Sequence, residues 1–217
     1  MGELEIRKEI IATCLKMEEL GINQGTSGNI SHRFKEGILI TPSGISYDLL
    51  RPEDIVFVPF SSKKDYIGRY APSSELDFHF DLLKEKLEIN CVLHNHSTYA
   101  TSMAICGLEI PAHHYMVAVA GGHKIPCAKY ATFGTSELSK NIIKTLKGYS
   151  ACLLANHGVI TTGDSLKKAL WIAIEVENLA KQYIMAKQIG EPNILSSKEM
   201  DIIVEKFNTY GIKSKSF

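Results

Sequence analysis

Two histidines separated by one residue, His94 and His96, follow the apolar run Cys91–Leu93 and constrain the fold more than any other feature. Side chains alternate between the two faces of a β-strand, so these imidazoles point the same way. A third histidine, His157, lies in a predicted turn between two short strands. If the fold brings this turn to the end of the first strand, three nitrogens with one open position form a catalytic zinc site.

The alternative is that His94 and His96 are structural residues, each hydrogen-bonded at the end of a strand. His157 favours the metal site, because it precedes Gly158 in a turn where the backbone leaves regular pairing. Nitrogen ligands suit zinc, although iron, cobalt or manganese can use the same donors. The sequence therefore predicts a metal centre with zinc as the preferred ion.

Glu75 is the candidate carboxylate for this centre, at the predicted start of a helix. The spacing of Ser74 and Asp77 predicts a capping box there, which leaves Glu75 free to be a fourth ligand or a base. Otherwise Glu75 only stabilises the helix N-terminus through the macrodipole. His79, one helical turn further on, is a rival ligand for which we favour a structural role.

Three short segments are rich in glycine and hydroxyl side chains: residues 25–29, 41–44 and 73–74. Each alone predicts only a turn. Together they predict a cradle for phosphate, because backbone N–H groups in turns and at a helix N-terminus bind oxyanions without a cation. The segments contain no lysine or arginine. This favours a small phosphorylated substrate over a magnesium nucleotide.

The charge balance excludes several classes of partner. Among 217 residues, 24 are Lys or Arg and 24 are Asp or Glu, so the formal net charge is zero. We therefore expect no nucleic-acid or anionic-membrane partner, and the apolar runs are too short to cross a bilayer. Five cysteines without a CxxC pair indicate reduced thiols and a cytoplasmic location. The length fits one domain over residues 1–217.

Hydrophobic periodicity predicts helices that include residues 3–20 and about 165–190, and strands that include residues 37–40 and 91–96. A further strand is predicted over Met116–Ala120. Helices alternate with short strands, many of which are joined by short turns. The predicted fold class is α/β, a mixed and mostly antiparallel sheet between two layers of helices.

Several runs of the sequence resemble the class II aldolase/adducin family. They are GTSGNIS, ITPSGI, PSSE, HNHS, IPAHHYM, GGHKIPCAKYATFGT, NHGVI and KFNTYG, which cover most of residues 24–211. The resemblance implies a three-layer α/β/α fold, one Zn²⁺ per subunit, a small phosphorylated sugar as substrate, and a homotetramer with sites at subunit interfaces. By position it implies that His94, His96 and His157 are zinc ligands.

The resemblance also implies roles for other residues. Glu75 would bind zinc at rest and act as the base, and Tyr115 would donate a proton in a neighbouring subunit's site. Substrate-binding positions would be Gly28, Asn29, Ser43, Gly44, Ser73 and Ser74 around the phosphate, and Phe133 and Tyr210 near the aldehyde. The implied reaction is reversible cleavage of a ketose 1-phosphate, with L-fuculose 1-phosphate expected, to dihydroxyacetone phosphate and L-lactaldehyde.

Three alternatives to this activity are considered. Pentulose-phosphate 4-epimerases of the same family typically carry Asp where this chain has Glu75, and methylthioribulose-phosphate dehydratases are less similar in the stretch after IPA. An adducin-like binding module would keep the fold without a metal. The presence of Glu75 together with all three histidines argues against the module.

Overall fold

A computed structural model describes residues 2–208 and contains a seven-stranded sheet with helices on both faces. The strands are β1 (Asn29–Phe34), β2 (Gly37–Ile40), β3 (Val56–Pro59), β4 (Cys91–Asn95), β5 (Cys127–Ala128), β6 (Ala151–Leu154) and β7 (Gly158–Gly163). Their order across the sheet is β3-β2-β1-β4-β7-β6-β5. Only β5 and β6 pair in parallel within the described residues. The predicted mixed, mostly antiparallel α/β/α fold is confirmed.

Six α-helices lie within the described residues. They are α1 (Glu3–Glu19), α2 (Leu76–Glu85), α3 (Thr98–Ile105), α4 (Ser136–Thr145), α5 (Leu166–Ile189) and α6 (Ser197–Asn208). In residues 2–208, no helix combines the length and apolar character required to span a bilayer.

The alternation of side chains along β4 separates the two helical layers. Val92 packs with Phe78 of α2 on one face of the sheet. Leu93 packs with Ile10 of α1 on the other face. Because strand residues two apart share a face, His94 points with Val92 toward the layer that contains α2. The alternation of side chains along β4 therefore directs His94, the first of the predicted metal ligands, toward the N-terminus of α2.

The segment Met116–Ala120 is not a strand, so that prediction was wrong. Residues Tyr115–Ala120 form a 3₁₀-helix, which begins with the Val117 N–H donating to the His114 carbonyl at 3.1 Å. Four consecutive residues, 117–120, are buried. A short apolar run fits a buried strand and a buried helical turn equally well, so periodicity alone could not distinguish them.

The predicted capping box between Ser74 and Asp77 is also absent from α2. The hydroxyl of Ser73, not of Ser74, accepts a hydrogen bond from the Glu75 N–H at 3.2 Å. Asp77 instead pairs with Lys63 at 2.9 Å. Glu75 immediately precedes the helix and its side chain makes no cap hydrogen bond, so its carboxylate is available for contacts elsewhere.

Candidate active site

The three predicted histidines meet where the central strand β4 ends. His94 lies on β4, His96 follows the end of that strand, and His157 comes from the turn between β6 and β7. The antiparallel pairing of β4 with β7 brings this turn to the end of β4. The ligand nitrogens of the three histidines all lie within 4.8 Å of one another.

Glu75 joins this cluster from the start of α2. Its Oε2 lies 3.1 Å from His94 Nε2, and its Oε1 lies 3.2 Å from His157 Nε2. His96 Nε2 lies 3.0 Å from His94 Nε2. Asn29 Nδ2 donates to Glu75 Oε2 at 3.0 Å. Glu75 is only 4% exposed, so these contacts are largely shielded from bulk water.

The orientation of His94 turns a ligand nitrogen toward Glu75. The Val159 carbonyl accepts a hydrogen bond of 2.9 Å from His94 Nδ1, which fixes the tautomer and leaves the Nε2 lone pair facing Glu75. Glu75 Oε1 is buried and accepts no hydrogen bond of acceptable geometry, despite its contact with His157. A cation bound between these atoms would be shared by the carboxylate and the imidazole nitrogens that converge here.

The residues present fit a metal ion. Ligand atoms in a tetrahedral zinc site with bonds of ~2.0–2.1 Å stand about 3.3 Å apart. The separations of Glu75 from His94 and from His157, and of His94 from His96, are 3.1, 3.2 and 3.0 Å. A backbone carbonyl that orients a ligating imidazole, as Val159 does for His94, is the usual support for such a site.

The electrostatics of the cluster favour an ionised carboxylate on Glu75 and a neutral imidazole on His96. Burial by itself raises the pKa of Glu75, but the neighbouring His94 and contacts to His157 and Asn29 outweigh burial and hold that pKa below its ordinary value. Burial, followed by the charges of His94 and His157, lowers the pKa of His96 to about 4. Deprotonated groups of this kind are the ones that ligate metals.

A cavity of about 340 Å³ opens beside the cluster. Its walls combine small polar residues, two aromatic rings and part of the cluster: Thr26, Ser27, Gly28, Asn29, Pro42, Ser43, Gly44, Ser73, Ser74, Glu75, His96, Tyr130, Ala131, Phe133, Asn156 and His157. All six predicted phosphate-loop positions are in this lining. Among the described residues that line it there is no lysine or arginine, so an anion there would meet hydroxyl groups and backbone N–H groups.

The loop before β1 is held against the cluster by close backbone approach. A β-carbon at Gly28 would stand 2.7 Å from both Asn23 Oδ1 and the His94 carbonyl oxygen. Tyr47 donates its hydroxyl hydrogen to the Gly28 carbonyl at 2.5 Å. Only glycine fits at this position, and the resulting path places Asn29 next to Glu75.

Other predicted residues are placed differently. Phe133 lines the cavity, and its side chain is 63% exposed. Tyr115 does not line the cavity of its own chain; it is 52% exposed and stacks on His114 with ring centroids 4.7 Å apart. Tyr210 lies outside the described residues. His79 is fully buried and hydrogen-bonded through both nitrogens, so it is no rival ligand.

Three cavity residues were not singled out from the sequence: Tyr130, Ala131 and Asn156. Tyr130 lies in the same stretch of sequence as Phe133. Its proximity to that predicted substrate-binding residue was the only sequence signal that could have indicated it. Asn156 precedes His157 and has a left-handed backbone with φ of 55°. A non-glycine residue in that region often marks a constrained functional turn.

Comparison with known proteins agrees with this fold. The model of the class II aldolase and adducin N-terminal domain matches residues 8–184. The 5-methylthioribulose-1-phosphate/5-deoxyribulose-1-phosphate aldolase of Rhodospirillum rubrum is 48% identical over 97% of this chain and 94% of its own length. The L-fuculose phosphate aldolase of Escherichia coli K12 is 46% identical over 98% of this chain and 99% of its own length.

A solved structure of an L-fuculose 1-phosphate aldolase superposes with a TM-score of 0.90 at 39% identity, covering 94% of this chain and 96% of that one. The chain therefore belongs to the class II aldolase and adducin family. Within that family it is an enzyme of the aldolase type, a lyase. Class II aldolases are metal-dependent, and the cluster of His94, His96 and His157 has the donors for such an ion.

Proposed function

We propose that this enzyme reversibly cleaves a ketose 1-phosphate to dihydroxyacetone phosphate and a small aldehyde, with Zn²⁺ held by His94, His96 and His157, and by Glu75 until substrate binds. The observation that carries the proposal is the convergence of these four side chains beside a cavity that serine, threonine and glycine residues line without lysine or arginine. When bound, the ion supplies Lewis-acid stabilisation of the negative charge that develops on the substrate oxygens.

Glu75 is the proposed base. In the direction of synthesis it removes the proton from the hydroxymethyl carbon of dihydroxyacetone phosphate. Oε1 is the atom suited to accept the proton, because Oε2 already accepts a hydrogen bond from Asn29 while Oε1 has no partner of acceptable geometry. In the direction of cleavage the same atom returns the proton to carbon.

The phosphate loops are proposed to fix the other end of the substrate. Ser43, Gly44, Ser73 and Ser74 line the wall beside Glu75. Anchoring the phosphate there holds the reacting carbon near the base, so binding energy from a group that does not react lowers the barrier. This arrangement explains why the lining needs hydroxyl groups and free backbone N–H groups but no cation.

Tyr115 of a neighbouring subunit is proposed to protonate the alkoxide that forms from the aldehyde oxygen in the direction of synthesis, which gives the hydroxyl group of the product. Its exposure and its absence from the cavity of its own chain support this assignment. The proposal therefore includes a homotetramer with sites at subunit interfaces. It assigns no catalytic role to any lysine of this chain.

L-Fuculose 1-phosphate, which would yield L-lactaldehyde, is the first proposed substrate. The methylthioribulose and deoxyribulose 1-phosphates in the name of the Rhodospirillum rubrum relative form the second candidate. All three sugars end in an apolar methyl or methylthio group. The exposed rings of Tyr130 and Phe133 offer that end an apolar surface at the cavity.

The test combines metal analysis with a substrate panel. Purified protein should contain one zinc per chain, lose activity on chelation and regain it with zinc. Cleavage of the three ketose 1-phosphates is measured by release of dihydroxyacetone phosphate, with 4-epimerisation of pentulose 5-phosphates followed in parallel. Full activity in metal-free protein would contradict the metal site. Epimerisation without cleavage would contradict the aldolase.

A further inference from the structure

A buried chain of hydrogen bonds runs from β1 through α2 to the proposed base. Ser31 Oγ lies 2.7 Å from His79 Nδ1, and His79 Nε2 lies 2.5 Å from Asn29 Oδ1. Asn29 Nδ2 lies 3.0 Å from Glu75 Oε2. None of the four residues in this series of hydrogen bonds is more than 5% exposed, and Ser31 and His79 are completely buried. Bulk water therefore cannot replace any of these contacts.

The two elements place these residues together for geometric reasons. Asn29 and Ser31 are two positions apart on β1, so they share the face that looks toward α2. His79 follows Glu75 by one helical turn, so both side chains lie on the same side of α2. Asn29 and His94 are direct partners across β1 and β4. The chain of hydrogen bonds thus ends at the ligand cluster.

The direction of every bond follows from the charge on Glu75. An ionised carboxylate only accepts hydrogen bonds, so the NH₂ group of Asn29 faces Glu75 and its carbonyl oxygen faces His79. His79 must then donate from Nε2. Its Nδ1 is left as an acceptor, and Ser31 donates to it. Both nitrogens of His79 have hydrogen-bond partners, and neither points toward the candidate metal ligands His94, His96 and His157.

We propose that His79 is a positioning residue that acts through Asn29 to hold the carboxylate of Glu75 in the orientation needed for proton abstraction. This inference rests on the proposed function of Glu75 as the base. Without the N–H of His79, the Asn29 carbonyl oxygen loses its donor, and only the bond from Asn29 Nδ2 to Glu75 opposes rotation of the amide by half a turn. The Asn29 carbonyl oxygen would then face the carboxylate and repel it.

The first test compares two replacements of His79. His79→Gln can keep a donor toward Asn29 and an acceptor toward Ser31, whereas His79→Leu fills a similar volume with neither. We expect His79→Leu to lower kcat for aldol cleavage, and the rate of proton exchange on dihydroxyacetone phosphate, by about 10- to 100-fold. KM should change less than about twofold, and His79→Gln should restore most of the loss. Wild-type kcat in His79→Leu would overturn the inference.

The second test asks whether His79 acts through Asn29. A double-mutant cycle combines His79→Leu with Asn29→Ala. If the two residues act as a unit, the loss of activity in the double variant is smaller than the sum of the two single losses expressed as free energies. Replacing His79 by Leu should therefore lower kcat much less when Asn29 is already Ala. Equal fold-losses in both backgrounds would show that His79 does not work through Asn29.

Ser31→Ala provides a milder perturbation if His79→Leu does not fold. It removes only the hydroxyl that donates to His79 Nδ1, and we expect a smaller fall in kcat with KM unchanged. Ser139→Ala is the matched control, because this serine is equally buried but bonds to Asp81, outside the chain of hydrogen bonds. A loss in Ser31→Ala no larger than in Ser139→Ala would contradict the proposal.

The third measurement does not depend on activity. In ¹⁵N-histidine-labelled, metal-free protein, His79 should give the shift pair of a neutral ring protonated at Nε2, and Ser31→Ala should weaken that preference. A ring protonated at Nδ1 would overturn the bond directions. Inactivity of the wild-type enzyme on every ketose 1-phosphate would reject the proposed function, whereas an active enzyme indifferent to His79→Leu would reject this inference alone.

Discussion

Gly158 lies so close to His96 that a β-carbon added to the glycine would stand 2.6 Å from His96 Cδ2 and from the Asn95 carbonyl oxygen. The hairpin turn that carries His157 is therefore packed directly against the other two histidines. The absence of a side chain at this one residue lets β7 begin beside the end of β4. The geometry of the cluster thus depends on a residue that ligates nothing.

Gly158→Ala should displace His96 and weaken zinc binding by about 10- to 100-fold, the usual consequence of disturbing the support of a metal ligand. Competition with a chromophoric chelator measures the affinity. Gly190→Ala is the matched control, because a β-carbon there has no neighbour within 4 Å. Equal zinc affinity in the two variants would show that the turn adjusts without moving His96.

Glu75→Gln should abolish proton exchange at the hydroxymethyl carbon of dihydroxyacetone phosphate while the protein stays folded. Glutamine keeps the shape of the side chain and loses its basicity. Isotope exchange followed by NMR measures this half-reaction directly. Asp77→Asn removes a carboxylate from the same helix end, where it pairs with Lys63, and should exchange at the wild-type rate. Normal exchange in Glu75→Gln would remove this residue from the role of base.

The two serines before α2 should respond differently to replacement. Ser74→Ala should raise KM for the phosphorylated substrate at least about tenfold, because a hydrogen bond to a charged group is lost. Ser73→Ala should also lower kcat, since its hydroxyl accepts from the Glu75 N–H and helps to place the base. Steady-state kinetics separate the two effects, with the exposed Ser102→Ala as control. Unchanged kinetics in Ser74→Ala would exclude this serine from phosphate binding.

Tyr115→Phe should slow cleavage by about 10²- to 10⁴-fold, the typical contribution of a general acid. Proton exchange on dihydroxyacetone phosphate should persist. If Tyr115 serves a neighbouring site, mixing Tyr115→Phe with Glu75→Gln subunits should recover activity. Mixing Glu75→Gln with His157→Ala should not, because both defects lie in the site of one chain. Failure to recover activity after verified subunit exchange would contradict the shared site.

Metal-free protein should lose stability as the pH falls, in part because of His79. Burial, with a further contribution from His94 and opposed by Glu75, lowers the pKa of His79 from 6.5 to about 3. Between these two pH values the His79 imidazole is protonated in the unfolded chain but not in the folded protein. The free energy of unfolding therefore decreases as the pH falls through this window, and His79 does not affect it at higher pH.

The size of this effect can be isolated by comparison with a variant. At about pH 5 the free energy of unfolding should be lower by roughly 2 kcal/mol because of His79. The His79→Gln variant has no imidazole at this position and should not show this loss. Urea unfolding of both proteins with chelator, at about pH 7.5 and pH 5, measures the difference. His96 contributes equally to both proteins and cancels. The same pH dependence in the two would show that His79 is protonated in the folded state.

Local patterns in the sequence determined a large part of this architecture. The apolar spacing of Ile6, Ile10, Cys14 and Met17 specifies the buried face of α1, and all four are buried. The predicted strand over residues 37–40 coincides with β2. The alternation of side chains on a strand already placed His94 and His96 on one side. These features depend on neighbours within a turn or two, so the chain itself encodes them.

Only the tertiary structure decided the contacts between residues far apart in sequence. Periodicity could not tell that Met116–Ala120 forms a 3₁₀-helix, because a short buried apolar run suits either conformation. Spacing suggested Asp77 as a helix cap, but Lys63 lies within reach of it. His79 could be interpreted from sequence as ligand or structural residue. Its role depends on Ser31 and Asn29, which reach it only when α2 packs on β1, because hydrogen bonds are set by direction and distance in space.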